Sequence, residues 1–153
     1  MNEPPEWTSL QKDIRIKAQP ADSIWQKAYD YVEGPLLLKI VASGTWTYSS
    51  KFAGTCTSNG DVLSPLDNKG CIYEKAPVGA LIGRIGGSIA TKEPDGVFVV
   101  GSYCVHKLDA TNAGPLFLTI NDKWNGFGDN DGEITVEIEF AKSPAESGPA
   151  SSA

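Results

Sequence analysis

Long apolar runs are missing from this 153-residue chain. Nothing in it approaches the roughly 18 consecutive apolar residues of a membrane-spanning helix, and residues 1–10, MNEPPEWTSL, lack the positive start and apolar middle of a signal peptide. The expectation is a cytoplasmic protein, or one exported without a classical signal peptide, with no membrane insertion. Histidine occurs once, as His106, so a Ser-His-Asp triad or a histidine metal site would have to rest on that residue. It lies in Val105-His106-Lys107 at the end of an expected strand, no GxSxG nucleophile motif accompanies it, and it reads as a surface or packing histidine. Positive charge is scarce too. Against 19 Asp and Glu there are 13 Lys and Arg, giving a net charge of −6 and a pI near 4.7, which argues against nucleic acid or an anionic membrane as partner. Three cysteines, Cys56, Cys71 and Cys104, are too few for a disulfide scaffold and lack CxxC metal spacing. Cys56 and Cys71 bracket a polar loop and could pair under oxidising conditions; three free thiols are the alternative.

Glycine and proline, at 16 and 10 residues, punctuate a series of short segments with β character. Ile14, Ile16 and Ala18 alternate with polar residues up to Pro20 and predict a first strand. Leu36 to Ala42 is an apolar run broken by Lys39, and after Gly44 comes Thr45-Trp46-Thr47-Tyr48, so the two predict a strand bending at glycine into more strand. Trp46 is expected in the core. Val78 to Ile85 and Val97 to His106 are two further strands, and Gly83, Gly86 and Gly87 read as bends or close sheet contacts, because no strand-to-helix context for a phosphate loop surrounds them. Leu116 to Asn121 and Glu133 to Ile138 alternate with period two and complete the set. Asp22 to Tyr31 is ambiguous: Trp25, Tyr29 and Val32 fall at near-helical spacing, with Asp22 or Ser23 able to cap a helix, and an irregular excursion before the next strand is the alternative. Residues 49–70 have no period and form the longest loop region. Residues 1–12 and 143–153 are expected as flexible tails around a domain of residues 13–142. Seven or eight short strands with at most one brief helix predict an all-β chain, an antiparallel β-sandwich of jelly-roll type.

Between the last two strands lies the most chemically distinctive loop. Asp122, Asn125, Asp129, Asn130 and Asp131 are separated by Gly126, Gly128 and Gly132. Carboxylates gathered so closely repel one another unless a cation or water intervenes. Calcium, with its 6–8 oxygen ligands, suits such a set, and glycines let backbone carbonyls turn inward. An EF-hand is excluded, since aligning Gly132 with its loop glycine puts Phe127 in the place of the first aspartate, and the flanks are strands. A plain polar hairpin loop is the alternative. Asp122 and Asp129 could reach the spacing of a glycosidase pair, but carboxylates held on calcium are poorly placed to trade protons, and no second acidic cluster occurs; a non-enzymatic role is expected. Trp124, inside the loop, either offers an exposed indole face to a sugar ring or folds back on its own hairpin.

Three blocks carry a resemblance to a known family. Val41 to Tyr48, Gly79 to Gly86, and Ile120-Asn121-Asp122 through Gly128 to Gly132 resemble segments of the calcium-dependent galactose-binding lectins of the LecA or PA-IL type from Pseudomonas, over roughly residues 14 to 140. The resemblance implies a bacterial jelly-roll sandwich that binds one calcium ion, with galactosides as partners and a homo-oligomer, dimer or tetramer, as assembly. Carried over residue by residue, it implies as calcium ligands the Tyr48 carbonyl, Asp122, the Gly126 carbonyl, Asp129 and Asn130, with two vicinal sugar hydroxyls completing the coordination. Carbohydrate contacts would fall to Asp122, Lys123, Trp124, Asn125 and Asp129, and to Asn68 and Lys69 in the loop before the Gly-Ala-Leu strand. The chain departs from the family in three respects. Gly126 stands where the family has threonine, Asp129 replaces an amide ligand, and neither the family's sugar-contacting histidine nor its glutamine is present. The expectation is therefore a calcium-dependent lectin for galactose-type sugars; the alternative is a calcium-stabilised sandwich that binds protein within a larger or secreted assembly.

Overall fold

The computed structural model describes residues 5–20, 23–49, 54–62, 69–86, 96–124 and 126–142. Two antiparallel sheets face each other. The first contains β1 (Thr8–Lys17), β3 (Leu36–Ser43), β4 (Thr45–Ser49), β5 (Gly54–Thr57), β8 (Tyr103–Leu108) and β10 (Asp131–Ala141). The second runs in the order β2 (Gln26–Glu33), β9 (Ala113–Ile120), β6 (Leu81–Ile85), β7 (Val97–Val99). This is the expected antiparallel β-sandwich. Its central strand is β10, which pairs with β1 along one edge and with both β3 and the start of β4 along the other. Gly44, at φ +107°, makes the bend between β3 and β4.

The main core lies between the sheets. Ile16, Leu38, Ile40, Ile134, Val136 and Ile138 from the first sheet meet Val32, Leu81, Leu116, Leu118 and Ile120 from the second, all nearly or fully excluded from solvent. Trp46 is buried there as expected, and its indole N–H donates to the Gly79 carbonyl at 2.8 Å. A second cluster lies on the other face of the β2–β9–β6–β7 sheet, where Trp25, Ile82 and Val97 are capped by Ile72, Ala76 and Ala80. That covering layer buries both faces of β6 and of the last residues of β9, as happens to strands covered on both sides of a sheet.

Several expectations need correction. The ambiguous stretch is neither helix nor irregular excursion, since Gln26–Glu33 forms a strand. Two register shifts in the β2–β9 pairing, between Lys27 and Tyr29 and between Tyr29 and Val32, insert extra residues, so the buried positions Trp25, Ala28 and Val32 acquire helical spacing. The first strand begins at Thr8, so residues 8–12, expected in a tail, belong to the sheet. Register shifts around Gln11 and the positive φ of 58° at Asp13 broke its alternation. Trp7 packs as well, with the Lys39 ammonium 4.7 Å from its ring centroid. β5 lies within the stretch read as loop. The run from Val97 to His106 is two strands on different sheets, parted at Gly101, whose φ of +66° and 2.7 Å clearance to Asn59 Oδ1 leave no room for a Cβ. Gly83 and Gly86 are close contacts as read: a Cβ would fall 2.8 Å from the Phe98 ring or 2.7 Å from the Ala113 carbonyl oxygen. Gly87, the cap candidate Asp22 and residues 143–153 lie outside the described residues. All three cysteines are free thiols, so the Cys56–Cys71 pair is not formed.

Candidate functional site

The segment from Asn121 to Asn130 leaves β9 in one sheet and enters β10 in the other, so the loop closes one end of the sandwich. Its described residues include a 3-10 turn, Phe127–Asp129, packed against β4. The start of β10 pairs with β4, Asp131 with Thr47 and Gly132 with Trp46. Tyr48 itself is buried, and its hydroxyl donates to Asp61 Oδ2 at 2.8 Å. The fold thus brings together the end of β4 and both ends of the acidic loop.

Asp122 is the least ordinary residue of this end. It is 4% exposed, and burial pushes its carboxyl up to about 6, with the nearby Asp129 charge adding to the rise. The Lys123 N–H, the Asn130 side chain and the Lys123 charge pull the other way. Oδ1 accepts the Lys123 N–H at 2.8 Å. Asn130 is equally buried, and its Nδ2 donates to the Ala18 carbonyl at 2.9 Å, which fixes the amide so that Oδ1 faces away from that strand. Gln19 clamps the same loop by donating from Nε2 to the Gly128 carbonyl at 2.6 Å. Five buried side-chain polar atoms have no hydrogen-bond partner among the described residues, and two of the five are Asp122 Oδ2 and Asn130 Oδ1. Each such oxygen costs about 1–3 kcal/mol if nothing binds it. Gly126 crowds the same carboxylate. A Cβ there would lie 3.1 Å from Asp122 Oδ1, so a threonine at this position would require the loop to shift by a few tenths of an ångström.

Among the described residues no group of three His, Cys, Asp or Glu side chains is placed to hold a metal ion, so any ion here would rest on amide and backbone oxygens besides carboxylates. The unpartnered atoms at this end are oxygens, Asp122 Oδ2 and Asn130 Oδ1, and the resemblance would add the exposed Asp129 carboxylate and the carbonyls of Tyr48 and Gly126. A hard cation of calcium's size suits that set, whereas magnesium, with its near-octahedral demand, suits it less.

The remaining sequence-derived contacts divide. Lys123 is half-buried and its backbone bridges Cys71, while Asp129 and Lys69 are exposed. Asn125 and Asn68 lie outside the described residues. Trp124 is not a free-standing exposed indole; it is half-buried and packs against the second apolar cluster. His106 is half-buried and stacked on Phe98, ring centroids 3.8 Å apart, and burial lowers its pKa, which matches a packing histidine.

Sequence reasoning overlooked the residue that anchors this end. Asn121 is fully buried, accepts the Tyr73 N–H through Oδ1 at 2.9 Å, and donates through Nδ2 to the carbonyls of Tyr73, Ala76 and Pro77 at 2.8, 3.1 and 3.1 Å. The Ile72 N–H donates in turn to the Asp122 carbonyl at 3.0 Å. The only hint in the sequence is an asparagine at the end of an otherwise apolar strand.

No protein-family model and no curated protein matches this chain. Among solved structures it is similar to one described as the EclA N-terminal domain, a PllA-like lectin, with a TM-score of 0.58 and 18% sequence identity over 85% of this chain and 95% of that one. At that identity the likeness shows a common fold.

Proposed function

We propose that this protein is a non-enzymatic, calcium-dependent carbohydrate-binding protein that takes galactose-type sugars through vicinal hydroxyls on the bound ion. The observation that carries the reading is that two buried oxygens of this loop, Asp122 Oδ2 and Asn130 Oδ1, have no hydrogen-bond partner among the described residues. With Asp129 and the carbonyls of Tyr48 and Gly126, five protein groups and two hydroxyls reach about seven oxygens, within calcium's range. The calcium would supply the centre on which sugar hydroxyls replace water. The protein's own contribution is to hold those acceptors rigid, through Ala18 and Gln19 on one side and Asn121 on the other. The likeness to a solved lectin domain is compatible with this reading.

Two measurements test it. Melting temperature should rise in calcium relative to chelator, because a ligand that binds only the native state adds about 2.7 kcal/mol at a hundredfold excess over Kd; equal temperatures would count against the site. A glycan array should lose its signal in chelator. Stabilisation by calcium with no glycan bound would favour the protein-interaction module instead, and binding that survives chelation would rule out the calcium route.

Selectivity is assigned to the loop before β6. Lysine is a flexible, strongly hydrated cation with three donors, and Lys69 stands near the place of the family's neutral reader. Lys69→Ala combined with Asn68→Ala should reorder preference among galactosides and leave calcium affinity within about twofold. An unchanged ranking would remove this loop from sugar recognition.

A further inference from the structure

Beside the acidic loop, on the outer face of the β2–β9–β6–β7 sheet, lies a cavity of about 460 Å³ lined by residues 70–75 and Trp124. Its volume falls within the ~300–1,000 Å³ of small-molecule sites. We propose that this cavity is a second binding site, for a neutral aromatic ligand of one or two rings, and that it works without calcium. Its lining contains none of the proposed ion ligands, although the Ile72 N–H donates to the Asp122 carbonyl.

Its chemistry selects the ligand class. Cys71 and Ile72 are buried, and the half-buried rings of Tyr73 and Trp124 pack against the apolar cluster beneath. Three of the backbone donors along the lining are already engaged: Gly70 N–H with Glu74 Oε2, Ile72 N–H with the Asp122 carbonyl, and Tyr73 N–H with Asn121 Oδ1. A sugar carries a hydroxyl on most of its ring carbons and loses free energy for each one dehydrated without a partner. A flat apolar ring meets no such cost and gains contact with two aromatic faces. At the rim stand Glu74 and Lys75, both exposed and of opposite charge, so the entrance favours neither anion nor cation. The wall is preformed, because the four hydrogen bonds of Asn121 hold 73–77 against β9, and preorganised sites lose less on binding.

The test uses the full chain labelled with nitrogen-15 and 2-naphthol as probe, titrated first in chelator and then in calcium. Saturable amide shifts centred on residues 70–75 and 124 are expected, with dissociation constants that agree within about twofold between the two conditions. Trp124→Ala should weaken binding about tenfold and Trp124→Phe should restore most of it. Sucrose in chelator should leave the same amides unmoved. Absence of saturation, shifts centred elsewhere, or loss of binding in chelator would each overturn the proposal. The wild-type shift map decides the matter even if a Trp124 variant fails to fold. A chain that binds 2-naphthol but not calcium would refute the lectin reading and leave this one standing.

Discussion

Asp122→Asn is expected to make the calcium-free protein more stable at pH 7 and, at the same time, unresponsive to calcium. The two effects share a cause. Burial raises the Asp122 carboxyl from 3.8 to about 6 in the folded chain, so the fold prefers the protonated group. Its stabilising contribution is complete below about pH 3.8 and is lost as pH rises through about 6, which leaves the ionised form costing about 3 kcal/mol at neutral pH. Asparagine removes the charge and keeps an oxygen for the Lys123 N–H. It also places an N–H₂ group where the neighbours assigned to the ion are acceptors. A gain of about 1–3 kcal/mol is expected, several degrees in melting temperature for a chain of this size. The same substitution removes a charged ligand and with it the calcium-induced rise. In the wild type, protons compete for Asp122, so calcium affinity should fall by up to about tenfold per pH unit below about pH 6. Thermal melts of both proteins between pH 4.5 and 8, in calcium and in chelator, check all of this. A less stable apo variant would show that the buried charge is no burden, and a variant that still responds to calcium would remove Asp122 from the ligand set.

The second large effect is expected from Asn121→Ala, which should lower stability by about 3–5 kcal/mol. Truncation strands the Tyr73 N–H and the carbonyls of Tyr73, Ala76 and Pro77 in a fully buried place. Each bond contributes little net, but unsatisfied buried groups cost more than the bonds were worth. The damage should be local before it is global: amides of residues 70–77 should lose hydrogen-exchange protection first, since this asparagine ties them to the sheet. Urea denaturation and exchange rates read the two scales. A loss below about 1 kcal/mol would mean that the apolar cluster alone holds the segment.

Sequence reasoning succeeded where structure is set by neighbours in the chain. The Gly44 bend, the core position of Trp46 and the alternating residues of β9 and β10 were legible because each depends on residues within a few positions. The acidic loop stood out for the same reason. Reading failed where the backbone breaks its own period, as in β2, whose bulges turned a period of two into one near a helix's, and in β1, where Asp13 and the shifts around Gln11 hid five residues of strand. It failed again where the partner is remote. Asn130 is oriented by Ala18, 112 positions away, and Asn121 meets Tyr73 across 48; no local pattern marks such bonds. The sequence left Trp124 open between two placements because its partner is a second apolar cluster outside the sandwich core, and nothing in the order of residues announces that 72–80 folds over the back of a sheet.

The position of β10 bears on how quickly the chain can find its structure. That strand is flanked by β1, β3 and β4, and the Arg15–Glu133 contact joins residues 118 apart. Closing a loop of that length must precede any reward from the contacts it brings, and proteins dominated by such pairings fold in milliseconds to seconds rather than microseconds. On the ribosome, β1, β3 and β4 emerge before the strand that unites them. Until Ala141 has left the exit tunnel these strands have unpaired edges and an uncovered apolar face, which is when aggregation competes most strongly with folding.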